Sequence, residues 1–175
     1  KEDNVHVHLN TTLTNFEGFV GNFKSSLSSK RDAWILEHGV AILATGAFAL
    51  KPTEYNYGKD PGILNSLELD KKFMEKDPAL KTLNSAVFIQ CVGSREPDRL
   101  YCSRVCCTHS IDNAMELKKL NPDMNVFILY RDIRTYGERE LLYKKARQAG
   151  VIFIRYSLNN KPEVIPKNGQ LVVRV

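Results

Sequence analysis

From residue 85 onward, short apolar bursts alternate with charged stretches of helical period. Ala86–Val92 (AVFIQCV) is predicted as a buried strand and Cys102–Lys119 as largely helical. Val126–Tyr130 (VFILY) reads as a second strand and Arg139–Ala149 as a second helix, which Gly150 closes. Val151–Arg155 is a third strand. Continuous apolar runs suit strands covered on both faces, and a glycine just past the last periodic residue is a common helix stop. Strand, helix, strand, helix, strand at these lengths predicts a parallel sheet with right-handed crossovers, an α/β unit of Rossmann-like form. One more strand, Gly169–Val175 (GQLVVRV), ends the chain.

The first half is less regular. Val5, Val7 and Leu9 alternate with His6 and His8, the period-two signature of a half-buried strand. The two histidines would share one face, where an exposed pair is the simpler reading than a metal pair because no third ligand is suggested nearby. FEGFVGNF, within Thr11–Phe23, predicts strands joined by a tight turn, and Ala33–Glu37 is a further strand. Val40–Leu43 is wholly apolar and runs into Ala44-Thr45-Gly46, as a buried parallel strand ending in a small-residue turn would. Residues 51–84 form a connector marked by Pro52, Gly58, Pro61 and Gly62. Within it Ser66–Lys76 is a short helix capped by Ser66 or Asn65.

Composition narrows the class. The 175 residues, 43% hydrophobic and 26% charged, are those of a globular protein of one domain, or one domain and part of another. No run approaches a membrane span and nothing resembles a signal peptide. The net charge of +5 is spread among acidic residues, as in KKFMEKD and RDIRTYGERE, without a basic face interleaved with aromatics. Nucleic-acid binding is therefore not expected.

All four cysteines, Cys91, Cys102, Cys106 and Cys107, fall in the segment CVGSREPDRLYCSRVCC, with spacing C-x10-C-x3-C-C. Four thiolates in one short segment supply what a cubane iron–sulfur cluster needs, and zinc would accept the same four. Zinc sites usually present two C-x2–4-C pairs. Here one cysteine stands alone and two are adjacent, and adjacent residues point roughly 100° apart on a helix. That irregularity favours a cluster, whose ligands are spread more widely. Core cysteines and disulfides are the plainer alternatives. On the predicted architecture Cys91 ends the first strand, Cys102 closes the loop, and Cys106 and Cys107 open the helix, so all four face the crevice at the carboxyl end of the sheet. A helix N-terminus there favours thiolate over thiol. The loop has a single glycine, Gly93, where a dinucleotide-binding turn needs three, so a pyridine-nucleotide site is opposed.

The stretch FIQCVGSREPDRLYCSRVCC, with VFILYRDIRTYGERELLYKKARQAGVIFIRY after it, resembles the A-type subunit of heterodisulfide reductase. It also resembles the flavoprotein subunit of the quinone-interacting membrane-bound oxidoreductase complex. FEGFVGNF, the ATG ending at Gly46 and the connector around Glu54-Tyr55 match the same family. The resemblance implies an oxidoreductase subunit containing FAD and iron–sulfur clusters, with a thioredoxin-reductase-like fold: α/β, a Rossmann-like three-layer unit inserted in a partial FAD domain with β-hairpin strands. Residues 1–50 would be partial FAD-domain strands, 51–84 the connector, 85–157 the inserted domain and 158–175 return strands to the FAD domain. The family's ligands to a [4Fe-4S] cluster fall on Cys91, Cys102, Cys106 and Cys107, and its FAD-side turn on Thr45 and Gly46. No side chain is expected to act as a catalytic acid or base.

The family's flavin fingerprint is absent from the sequence, so the chain looks like an internal fragment, expected to be inactive alone. Segments 1–50 and 158–175 are expected to pair in an incomplete sheet. Implied partners are the other subunits of a cytoplasmic complex in anaerobic metabolism, without nucleic acid or direct membrane insertion, and a homodimer is a further candidate. The role is electron relay between FAD and a partner subunit, against the alternative of a structural tetrathiolate zinc domain. Three lesser candidates remain. His109 is a surface histidine or a hydrogen-bond donor to a cluster sulfur, and Arg131, Asp132 and Arg134 are a loop ion pair or a docking surface. Tyr101 is a shield for Cys102 or a packing residue.

Overall fold

A computed structural model of the chain describes residues 4–175. The chain divides into two compact units, one ending at Phe48 and the other running Ala49–Val175.

The first unit is an antiparallel meander of β1 (Thr12–Phe19), β2 (Asn22–Ser28) and β3 (Ala33–His38). Its turn at Val20-Gly21 and its strand pattern follow the sequence. Pairing of Leu13 with Leu27, Leu27 with Trp34 and Ser25 with Leu36 puts these apolar residues on one face, while Ile35, paired with Ser26, lies on the other. On the first face Phe16, Phe23 and His38 stack, and Ser25 Oγ lies 2.8 Å from His38 Nε2. The other face carries the Lys24–Glu37 ion pair. Two expectations fail here. Residues 5–9 form no strand, and Val5, Val7 and Leu9 are exposed, so His6 and His8 do not share a strand face. Val40–Leu43 is likewise not a strand: Val40, Ile42 and Leu43 are 71%, 87% and 84% exposed. An apolar run specifies what would gain from burial, but no neighbouring strand among the described residues pairs with this one.

The second unit is α/β, as expected. β4 (Ser85–Ile89), β5 (Asn125–Tyr130) and β6 (Ile152–Arg155) form a parallel sheet in the order β4-β5-β6. The crossovers are α3 (Cys106–Leu120) and α4 (Arg139–Gln148). Val126 and Ile128 of β5 alternate toward a core shared with Ile111, Ala114 and Leu117 of α3, and Ala146 of α4 joins them. α3 packs on β5, on α4, on α1 (Ser66–Met74) and on the single turn α2 (Ala79–Thr82). The helices thus gather around α3, and the expected three layers are met by helices on one side only. α1 opens on a reciprocal cap: Asn65 Oδ1 accepts from Glu68 N at 3.0 Å, and Glu68 Oε2 accepts from Asn65 N at 2.8 Å.

β7 (Glu163–Lys167) and β8 (Gln170–Arg174) form their own hairpin. β7 carries no clear signal in the sequence, and it pairs antiparallel with β8. Asn168 and Gly169 supply the two left-handed turn residues, at φ 51° and 74°. Among the described residues no helix is long and apolar enough to cross a membrane.

Replacing Ile111 or Ile128, both essentially unexposed, with alanine should lower stability by about 2–5 kcal/mol in urea unfolding. The same change at Ile152, 43% exposed, should cost much less. Equal losses at all three would mean that the core is misplaced.

Candidate metal centre

The ladder between β4 and β5 extends one residue past β4, with Gln90 N donating to Leu129 O at 2.9 Å. Cys91 then takes φ 62°, a left-handed conformation that turns the chain out of the sheet. Gly93 follows at φ 64°, and a Cβ there would meet a Leu50 methyl at 2.1 Å. The chain next makes a miniature hairpin. Glu96 N donates to Arg99 O (3.1 Å), Arg99 N to Glu96 O (2.9 Å) and Arg95 N to Tyr101 O (3.2 Å). The ten residues between Cys91 and Cys102 are therefore an excursion out and back, which brings Tyr101 beside Arg95. Arg104 at φ 63° breaks the backbone again, so the helix begins at Cys106 and not at Cys102 as predicted.

Cys91 follows β4, Cys102 closes the loop, and Cys106 and Cys107 are the first two residues of α3. Cys91 and Cys107 are buried, Cys102 and Cys106 half-buried, and all four are free thiols, which sets aside the disulfide reading for this form of the chain. Arg104 N donates to Cys102 Sγ at 3.4 Å and Ser103 Oγ to Cys106 Sγ at 3.7 Å. Cys107 Sγ lies 3.8 Å from the Asp132 carbonyl oxygen. A hydrogen bond from Cys107 brings the Cys106 thiol down to about 6. Ser103 and the main-chain N–H groups of Cys106 and Cys107 add to this, and burial opposes it. Cys107 moves upward for the complementary reason, with burial adding to its role as donor. Within this adjacent pair, the thiolate form is favoured at Cys106. Among the described residues, no group of three or more His, Cys, Asp or Glu side chains stands in an arrangement that holds a single metal ion. In kind the donors fit a thiolate-bound centre: only sulfurs, each met by a polar neighbour.

The loop is fastened by residues whose role the sequence does not disclose. Arg131 follows β5 and is 8% exposed. Its Nη1 donates to Arg95 O (2.8 Å) and its Nη2 to Ser94 O (2.5 Å). Asp132 Oδ2 meets Arg95 Nη2 at 2.5 Å, and Oδ1 meets Arg155 Nη2 at 3.4 Å. Arg95 holds the Asp132 carboxyl below the usual carboxylate range. Asp132 is thus in the loop ion pair expected of it. The buried Tyr156 hydroxyl donates to Gln90 O beneath the loop. His109 is corrected: its Nε2 lies 2.8 Å from Asp70 Oδ2, and Asn113 Nδ2 donates to Asp70 Oδ1 at 3.0 Å. It ties α3 to α1 and does not serve a sulfur. Tyr101 is 66% exposed, so it neither shields Cys102 nor packs in a core. Thr45 and Gly46 lie in an exposed segment without regular structure, where Gly46 (φ 69°) has open space around it.

An α/β unit with a thiol-only site at its strand ends is the class that fold and site define. No family model matches the chain. Curated relatives do match, and by them the chain belongs to the family of heterodisulfide reductase A-type subunits. It is 35% identical over 80% of its length to the A-type subunit of the "H(2):CoB-CoM heterodisulfide,ferredoxin reductase" of Methanothermobacter marburgensis. It is 36% identical over 80% to a "CoB--CoM heterodisulfide reductase iron-sulfur subunit" of the same A type from Methanopyrus kandleri. To the A-type subunit of the "H(2)/formate:CoB-CoM heterodisulfide,ferredoxin reductase" of Methanococcus maripaludis it is 38% identical over 78%. The chain spans 23–24% of the length of these relatives.

Two measurements follow from this geometry. Arg131→Met should raise amide hydrogen exchange in residues 91–101 by about tenfold or more while leaving α3 protected, since the carbonyls of Ser94 and Arg95 lose a charged donor. Unchanged exchange would show that the clamp is dispensable. NADH and NADPH should give no micromolar binding by calorimetry, because long side chains fill the turn that glycines would leave open to a diphosphate.

Proposed function

We propose that this chain is the cluster-carrying part of an oxidoreductase subunit of the heterodisulfide reductase A type. Cys91, Cys102, Cys106 and Cys107 would bind one [4Fe-4S] cluster, which supplies one-electron relay between FAD and a partner subunit. The observation that carries this reading is the hairpin of residues 95–101. It ties Arg95 to Tyr101 within the loop that separates Cys91, just past β4, from Cys102, and Cys106 and Cys107 then open α3. The printed name of the Methanopyrus relative, an iron-sulfur subunit, agrees with it.

The chain's own contribution is to orient and to insulate. The turn at Cys91 aims a sulfur off the strand, the first turn of α3 brings N–H groups to bear on thiolates, and burial of Cys91 and Cys107 keeps water from two of the sulfurs. No acid–base step is assigned to any side chain. FAD belongs to this reading through the likeness at Thr45 and Gly46. The described residues there build no cradle for it, so the flavin is proposed for the longer protein. The subunit is proposed to act in the cytoplasm, within a complex of the kind named for its relatives.

Anaerobic reconstitution with iron and sulfide should leave about four of each per chain, with visible sulfur-to-iron absorbance. Cys106→Ser should lose most of the iron and colour. Colourless protein with about one zinc and no sulfide would replace this reading with a structural tetrathiolate site.

A further inference from the structure

Cys91 is 8% exposed, so water contributes little to stabilising charge on its sulfur. The cation placed beside it is Arg95. One arm of the guanidinium, Nη1, is 3.9 Å from Cys91 Sγ, and the other, Nη2, is 2.5 Å from Asp132 Oδ2. The side chain is only 21% exposed. Its backbone is fixed from three directions: φ is 58°, the N–H donates to Tyr101 O, and the carbonyl accepts from Arg131 Nη1 at 2.8 Å. Asp132 is held in turn by Arg155 at 3.4 Å. A loop arginine serving only as an ion-pair partner has no need to point its second arm at a buried sulfur. Arginine also keeps its charge at any working pH, so the field on that sulfur is permanent.

We infer that Arg95 is a positioning residue that donates an N–H···S hydrogen bond to the Cys91 thiolate and thereby holds the reduction potential of the proposed centre up. The inference rests on the four-cysteine reading above. Reduction adds one electron to the centre with no bond made or broken, so the reduced state is the more negative and gains more from a fixed cation and an N–H donor on sulfur. Asp132 opposes this, because it draws part of the guanidinium's charge to itself. The two side chains therefore pull the potential in opposite directions. The main-chain carbonyl of Asp132, which faces Cys107, is unaffected by a change of its side chain.

The test is a redox titration, followed by absorbance and electron paramagnetic resonance, of the full chain reconstituted with iron and sulfide. R95M should make reduction roughly tenfold less favourable, about 59 mV more negative for a one-electron couple. D132N should shift the potential the other way, and R95K should restore part of the loss by keeping the charge without the fork. Equal iron content and equal potential in wild type and R95M would overturn the inference while leaving the cluster reading intact. Wild-type protein that takes up no iron would overturn both. Should R95M fail to load, D132N decides: an unchanged or lowered potential there rejects the role of Arg95, and a raised one supports it.

Discussion

The cysteine loop depends on one buried cation. Arg131 leaves water almost completely, a cost that only well-placed acceptors offset. Its Nη groups take the carbonyls of Ser94 and Arg95, and Glu96 adds a weaker contact at 3.9 Å. Arg155 Nε then donates to the Arg131 carbonyl at 3.0 Å, so the ends of β5 and β6 are linked to each other as well as to the loop. A buried ion pair is poor evidence of stability, and hydrophobic replacements often do as well. What this one supplies is position. Three left-handed non-glycine residues, Cys91, Arg95 and Arg104, lie in or beside the loop, and such backbone persists only where surrounding contacts hold it.

The thiols sit in a field whose sources differ from sulfur to sulfur. Cys106 feels the N–H groups of the first turn of α3 and Cys107 that of Arg134, and each alters the other, so the pair loses its first proton easily and its second with difficulty. Cys91 is served by Arg95. Cys102, half-buried, accepts from the N–H of Arg104, which its left-handed backbone turns back toward the loop. Backbone irregularity and cation placement thus address the same need, stabilising negative charge on sulfurs that lie at different depths.

Much of this is legible in the sequence where local signals and burial agree. The parallel strands can be read because they appear as unbroken apolar runs, as in VFILY, where Val126, Ile128 and Leu129 are buried. Val40–Leu43 carries the same signal, yet no strand pairs with it among the described residues. Asn168-Gly169 is a readable hairpin turn, whereas the strand before it is hidden because Pro166 interrupts it. The spacing of the cysteines marks out the loop that carries them, but it does not place the supports of that loop. Arg131 bonds across 36 and 37 residues, Tyr156 across 66 and His109 across 39. None of these pairings has a local period or a motif to reveal it.

The strand–turn–helix junction after β4 is the place where many parallel α/β folds present a helix N-terminus to an anion. What the anion can be is decided by the turn. A glycine-rich turn lets the backbone close on a diphosphate that arrives from solvent. Here the turn is a hairpin of long side chains, with Arg95, Glu96 and Arg99 in the space such a ligand would need. In the function proposed above, the anion would instead be a thiolate-bound centre held by the protein's own sulfurs, two at the helix start and two at the ends of the excursion. The same helix field is kept and redirected from a soluble ligand to a thiolate set. That is why the loop had to lengthen, acquire cations and be clamped, whereas a nucleotide turn must stay short and bare.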